Sequence, residues 1–114
     1  MNTILVVGRD WKFRALLRAQ LREEGFEARG FESLTDVFPE SSGPGPAPAA
    51  LIFDTVEAPQ AELDLLASLK AGCPVVVVAA VDESVAAPQA RILRRPIAIA
   101  ALVGELRALT GARP

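Results

Sequence analysis

The chain contains no histidine and a single cysteine, Cys73. The first absence removes the commonest general base and the commonest metal ligand. The second excludes an intrachain disulfide, and together they argue against a structural zinc site. A lone thiol suits a reducing cytoplasm, which is the expected location. Long apolar runs are also missing. The charge-free stretch Gly72–Val81 is too short to cross a bilayer, so no membrane association is expected. The apolar N-terminus lacks a basic lead and a cleavage site, and reads as a strand rather than a signal peptide. Net charge is only −2, which leaves no electrostatic footprint for nucleic acid.

What is present is globular. At 114 residues, 51% apolar and 23% charged, the chain has material for one compact domain, 1–114, and too little for two. It ends at Pro114 soon after its last expected helix, so no attached output domain is expected.

The apolar runs are short and continuous. Ile4-Leu5-Val6-Val7 closes at Gly8, Leu51-Ile52-Phe53 ends in Asp54, and Val75 to Val78 is four valines in a row. Such runs fit strands buried on both faces of a parallel sheet. Weaker strands are expected over Phe26–Phe31, interrupted by Gly30, and around Ile92 and Leu93.

Helical spacing separates these runs. Asp10 is placed to cap a helix carrying Phe13, Leu16, Leu17 and Leu21, with Gly25 beyond its end. Ser33-x-x-Asp36 resembles a capping box, followed by about two turns through Leu34, Val37 and Phe38 up to Pro39. Ser41–Pro48, rich in proline and glycine, reads as a surface loop. Gln60–Ala71 is an expected helix with Leu63, Leu66 and Leu69 on its apolar face. Asp82–Gln89 fits either a short helix or a loop. Ile99, Leu102, Val103, Leu106 and Leu109 mark a last amphipathic helix closed by Gly111.

Strands alternating with helices imply right-handed crossovers and a sheet covered on both faces. The expected fold is α/β, a doubly wound five-stranded parallel sheet of the flavodoxin-like type. Reactive groups in such folds collect at the carboxyl ends of the strands. The residues there are Gly8, Arg9 and Asp10, then Asp54 and Thr55, then Ala79 and Ala80, and finally Arg94, Arg95 and Pro96.

The four pieces Ile4–Val7, Leu51–Asp54, Pro74–Val78 and Arg95-Pro96, in this order and spacing, resemble the receiver domain of bacterial response regulators. The resemblance spans Thr3 to Thr110. It implies a phosphoacceptor aspartate at Asp54. It also implies an acidic, Mg²⁺-binding pair after the first strand, a switch hydroxyl after the fourth, and a lysine before a proline after the fifth. This sequence departs from that pattern. Gly8 and Arg9 replace the acidic pair, Ala79 replaces the hydroxyl, and Arg95 replaces the lysine while Pro96 is kept. The span from Pro74 to Pro96 is also short for the family, which implies a shortened or absent fourth helix.

Phosphoryl transfer needs its developing charge neutralised, mainly by metal and cations. Mg²⁺ prefers hard oxygen ligands, and Asp54 stands almost alone, with Asp10 occupied as a cap. The expectation is that Arg9, with Arg95, pairs with Asp54 in place of a metal and lowers its pKa. The expected function is a degenerate pseudo-receiver of a two-component or phosphorelay system. It would not be an enzyme and would hold no cofactor, Mg²⁺ entering only if the acidic site worked. It would signal through protein contacts with an effector or kinase, or as a homodimer.

Two alternatives remain: a working phosphoacceptor at Asp54, and a small flavodoxin-like enzyme or nucleotide binder. The latter needs a phosphate-cradling loop, which Gly8-Arg9-Asp10 does not supply. The Arg14, Arg18 and Arg22 row reads as a solvated helix face. Trp11 is placed to shield Asp54, to anchor a partner or simply to pack. Cys73 has no histidine to activate it.

Overall fold

The structure, a computed structural model, describes residues 2–37, 47–69 and 72–111. Five strands run as β1 Thr3–Val7, β2 Glu27–Phe31, β3 Ala50–Asp54, β4 Val75–Ala79 and β5 Arg91–Arg94. Three α-helices are described: α1 Trp11–Glu23, α2 Gln60–Ala67 and α3 Ile99–Thr110. All strand pairs are parallel, in the order β2-β1-β3-β4-β5. This is the five-stranded α/β architecture that the continuous apolar runs imply.

The strand period of two sends alternate side chains to opposite faces. Ile4, Val6, Ile52, Val76 and Val78 pack with Leu17 and Leu21 of α1 and Leu102 and Leu106 of α3. Leu5, Val7, Leu51, Phe53, Val77 and Ala79 pack on the other side with Leu34, Val37, Leu66 and Ala87. Among the described residues, the second face is covered by α2, the 3₁₀ turn at Leu34–Asp36 and irregular chain.

The helix ends follow local chemistry. Asp10 caps α1, its Oδ1 accepting from the amides of Lys12 at 3.1 Å and Phe13 at 3.3 Å. Gly111 takes a left-handed φ of 69° at the end of α3, as a C-terminal glycine does.

Three expectations are corrected. Among the described residues, the helix expected from Leu34 is a 3₁₀ turn, Leu34–Asp36, that ends before Val37. Ser33 and Asp36 do not form a capping box: the Ser33 hydroxyl bonds the Asp36 carboxylate at 3.2 Å and Thr35 Oγ1 at 2.7 Å. The Leu34 amide goes instead to Glu62 Oε1 at 3.0 Å. Phe38 and Pro39, and most of the Ser41–Pro48 loop, lie outside the described residues.

Helix α2 stops at Ala67 rather than Ala71. The amides of Ser68 and Leu69 bond back three residues, to Leu65 and Leu66, and tighten the last turn. Lys70 and Ala71 lie outside the described residues. Between β4 and β5 there is no helix at all. Residues 80–90 run as turns and irregular chain, so the fourth crossover is made without one.

Candidate functional site

Asp54 is the last residue of β3, in register with Val78 of β4. A central strand with neighbours on both sides and covered faces leaves its end side chain little access to water. Asp54 is accordingly only 3% exposed. Its Oδ1 accepts from the Val56 amide at 3.3 Å and from Arg95 Nη1 at 2.8 Å.

Arg95 follows β5, and its own amide donates to Ala79 O at 2.7 Å. The peptide bond from Arg95 to Pro96 is cis. Beyond Asp54, Arg95 Nη1 donates to Val78 O at 3.0 Å and reaches Thr55 Oγ1 at 3.4 Å. The guanidinium is held on several sides and cannot swing freely.

A second carboxylate completes this corner. The Thr55 hydroxyl donates to Glu83 Oε1 at 2.7 Å, and the same oxygen accepts from the Ala80 amide at 3.0 Å. Arg95 Nη2 lies 3.8 Å from it. Arg94 Nη1 donates to Ala80 O at 2.9 Å and to Glu83 O. Side chains thus satisfy backbone groups that a fourth-crossover helix would satisfy internally.

The two carboxyls respond differently. Burial pushes the Asp54 carboxyl above the ordinary aspartate range, against the pull of the Val56 amide and Arg95. Asp10 and Glu83 add to the rise by repulsion. This corrects the expected lowering: desolvation outweighs one partly exposed arginine. Burial also pushes on Glu83, but the Ala80 amide, the Thr55 hydroxyl, Arg95 and Arg94 together bring it below its usual value.

Arg9 does not pair with Asp54. It swings across the β1–α1 turn to Glu62 of α2, whose carboxylate also receives the Leu34 amide. Glu62 is 6% exposed, so this pair ties three segments together beside the site. The expectation of an Arg9–Asp54 pair is corrected on this geometry: a buried glutamate offered Arg9 a partner already desolvated.

Gly8 is buried against Asp54. A Cβ on Gly8 would sit 2.9 Å from Asp54 Cβ and 3.6 Å from Oδ2. Real Cβ contacts do not come so close, so a side chain here requires a shift. Ala79 is fully buried under the Arg95 turn. Pro96 lines a shallow apolar depression with Phe13, Val81 and Ile97. Trp11 is 63% exposed, with Lys12 Nζ 5.8 Å from its ring centroid, and does not shield Asp54. Cys73 is half-buried, and burial pushes its thiol up, away from reactivity.

These residues fit a hard divalent cation poorly. Such an ion needs several oxygen ligands around it. Gly8 offers no side chain, Asp10 caps α1, and Arg9 and Glu62 neutralise each other. One oxygen of Asp54 already carries a guanidinium. Among the described residues, no three acidic, cysteine or histidine side chains gather at metal-binding spacing.

Solved structures with this architecture exist. A response regulator receiver protein from Burkholderia phymatum superposes with a TM-score of 0.78 at 21% identity, over 99% of this chain and 98% of that one. A response regulator receiver domain protein from Clostridium thermocellum gives 0.80 at 17%, over 97% and 95%. The chain has the receiver fold. A putative pilus assembly protein from Burkholderia thailandensis shares it, at 0.73 and 23%, over 98% and 100%. No protein-family model and no curated protein matches the sequence. Within the receiver fold, Asp54 stands at the end of the central strand β3 and Arg95 precedes the turn into the last helix.

Glu62 and Glu83 are the site residues that the sequence did not single out. Glu83 carried a usable signal. A connection too short for a helix must find side-chain partners for its backbone. Glu62 carried none, because its polar partners come from the β1–α1 turn and the 3₁₀ turn.

Proposed function

We propose that the chain is a receiver-type signalling module whose aspartate is held in a fixed ion pair and is not phosphorylated by the usual Mg²⁺-dependent route. The carrying observation is Arg95 Nη1 at 2.8 Å from Asp54 Oδ1, in a site where Gly8 leaves no room for a metal-binding acid. The module is a pseudo-receiver of a two-component or phosphorelay system. It binds no cofactor, catalyses no reaction of its own and works in the cytoplasm through contacts with an effector or kinase, or with a second copy of itself.

The geometry supports this in two ways. An incoming phosphoryl group needs cations that can follow it, and Arg95 is instead tied to Val78 O and Asp54. Ala79 supplies no hydroxyl to bond a phosphoryl oxygen. The second reading, a working phosphoacceptor, draws on one observation: Arg95 stands where the family's lysine stands and would pair with phosphate.

Incubation with Mg²⁺ and acetyl phosphate, followed by intact mass, separates the two. The expected result is no phosphoryl adduct. An adduct that disappears in Asp54→Asn establishes the second reading instead.

A further inference from the structure

Helix α1 uses most of its circumference within the fold. Phe13, Leu17 and Leu21 face the core. Arg14 donates to Gly8 O, and Arg18 and Arg22 both reach Ala28 O at 3.4 Å, so the arginine row is not simply a solvated face. On the opposite flank Glu24 pairs with Arg107 of α3. What remains is an outward stripe of Lys12, Leu16, Ala19 and Glu23, all exposed, with Leu16 at 62%. Steps of four, three and four residues set them in one line along the helix.

Two properties of this stripe identify what would cover it. The neighbouring helix leaves it accessible. The exposed positions of α3 are Ala100, Ala101, Gly104 and Ala108, and the space around Gly104 is open. A second helix laid on α1 therefore meets no large side chain from α3. The stripe is also its own complement. It starts with a cation, ends with an anion and has a large and a small apolar residue between them. Turned end for end, Lys12 meets Glu23 and Leu16 meets Ala19. Among the described residues no ion pair engages Lys12 or Glu23. Lys12 Nζ lies 5.8 Å from the Trp11 ring centroid, a contact that supplies no counter-charge.

We propose that α1 is the interface of a homodimer, two copies packing antiparallel about a two-fold axis at the middle of this stripe. A two-fold contact is isologous, so Lys12 pairs with the partner's Glu23 at both ends. Each Leu16 packs on the partner's Ala19, a large side chain on a small one. Parallel packing would set Lys12 against Lys12 and Glu23 against Glu23, so charge fixes the direction. A foreign helix would need a matching stripe of its own, which this chain already carries. One pair of 13-residue helices covers less than a standard interface, so the dimer is reversible and concentration-dependent. This deepens the second-copy reading of the proposed function and rests on it, but not on the state of Asp54.

The test is sedimentation equilibrium of the full chain from micromolar to millimolar concentration, without Mg²⁺ or a phosphodonor. The expected result is a monomer–dimer equilibrium. Lys12→Glu sets like charges against each other at both ends and should weaken the dimer about tenfold. Adding Glu23→Lys restores unlike pairs and should return the parent affinity to within about twofold. Both substitutions suit the helix dipole, an acid in the first turn and a base in the last, so the fold is kept. Leu16→Gln should weaken the dimer about tenfold, and circular dichroism checks that each variant is folded. A monomer at every concentration, a dimer indifferent to Lys12→Glu or to Leu16→Gln, or a charge swap that fails to restore it overturns the proposal. None of these outcomes bears on phosphorylation at Asp54, which intact mass reads separately.

Discussion

Arg95 Nη1 donates to Asp54 Oδ1 at 2.8 Å and to Val78 O at 3.0 Å, so one nitrogen joins the ends of β3 and β4. The carboxylate is buried and the guanidinium is about a third exposed. Removing the cation leaves a desolvated charge. Arg95→Ala is expected to destabilise the fold by about 1–3 kcal/mol at neutral pH, less than for a fully buried pair because solvent screens Arg95. Urea unfolding measures this, and carboxyl NMR should show the Asp54 pKa rising further.

The pH dependence of the pair has a definite sign. The Asp54 pKa is raised in the folded state, so folding favours its neutral form. Its contribution to stability is present below the unfolded pKa and is lost as pH rises through the folded one. Asp54→Asn is therefore expected to be at least as stable as the parent at neutral pH. That advantage should shrink as pH falls through the folded pKa toward the unfolded one. Thermal unfolding across that acidic window tests this. A variant less stable at neutral pH, with the deficit closing in acid, means that Arg95 outweighs burial.

Glu83 runs the other way. Its pKa is lowered in the folded state, so its contribution is present above the unfolded pKa and fades as pH falls through the folded one. Glu83→Gln should narrow the acid sensitivity of the fold. It should also loosen residues 80–83, read as faster exchange of the Ala80 amide.

Gly8 is a steric requirement. Its φ is not positive, so backbone conformation is not at issue. Gly8→Ala places a methyl 2.9 Å from Asp54 Cβ and is expected to cost about 1–3 kcal/mol by overpacking. Gly8→Asp should cost at least as much and should not restore Mg²⁺ binding, since Arg95 remains on Asp54. Denaturant melts with and without Mg²⁺ check both statements.

The Glu62 pair gives a graded series. Glu62→Ala removes the acceptor for the Leu34 amide and the partner of Arg9, at an expected cost of about 1–3 kcal/mol. Glu62→Gln keeps an acceptor and should recover part of that loss. Equal stability of all three chains rules out a structural role for the pair.

How legible this was in the sequence differs from residue to residue. The parallel sheet was plain in Ile4–Val7, Leu51–Phe53 and Val75–Val78, because burial on both faces forces continuous apolar runs. Asp10 announced its cap, since an N-cap is local chemistry. The end of α2 was less clear, because the tightened turn at Ser68 and Leu69 is not marked by proline or glycine. The partner of Arg9 was hidden. A long side chain next to a turn can reach either Asp54 or Glu62, and only the packing of α2 beside β1 decides. The sign of the Asp54 shift was hidden for a similar reason, because burial depth is a property of the folded sheet.

The most direct test of the fixed ion pair is a Mg²⁺ titration followed at the Asp54 carboxyl carbon by NMR. With Arg95 holding Oδ1 and no acid at Gly8, the resonance should stay in place, and Arg95→Ala alone should move it. A saturable Mg²⁺-dependent shift at Asp54 in the parent chain would contradict the fixed pair and restore a metal-assisted phosphoacceptor.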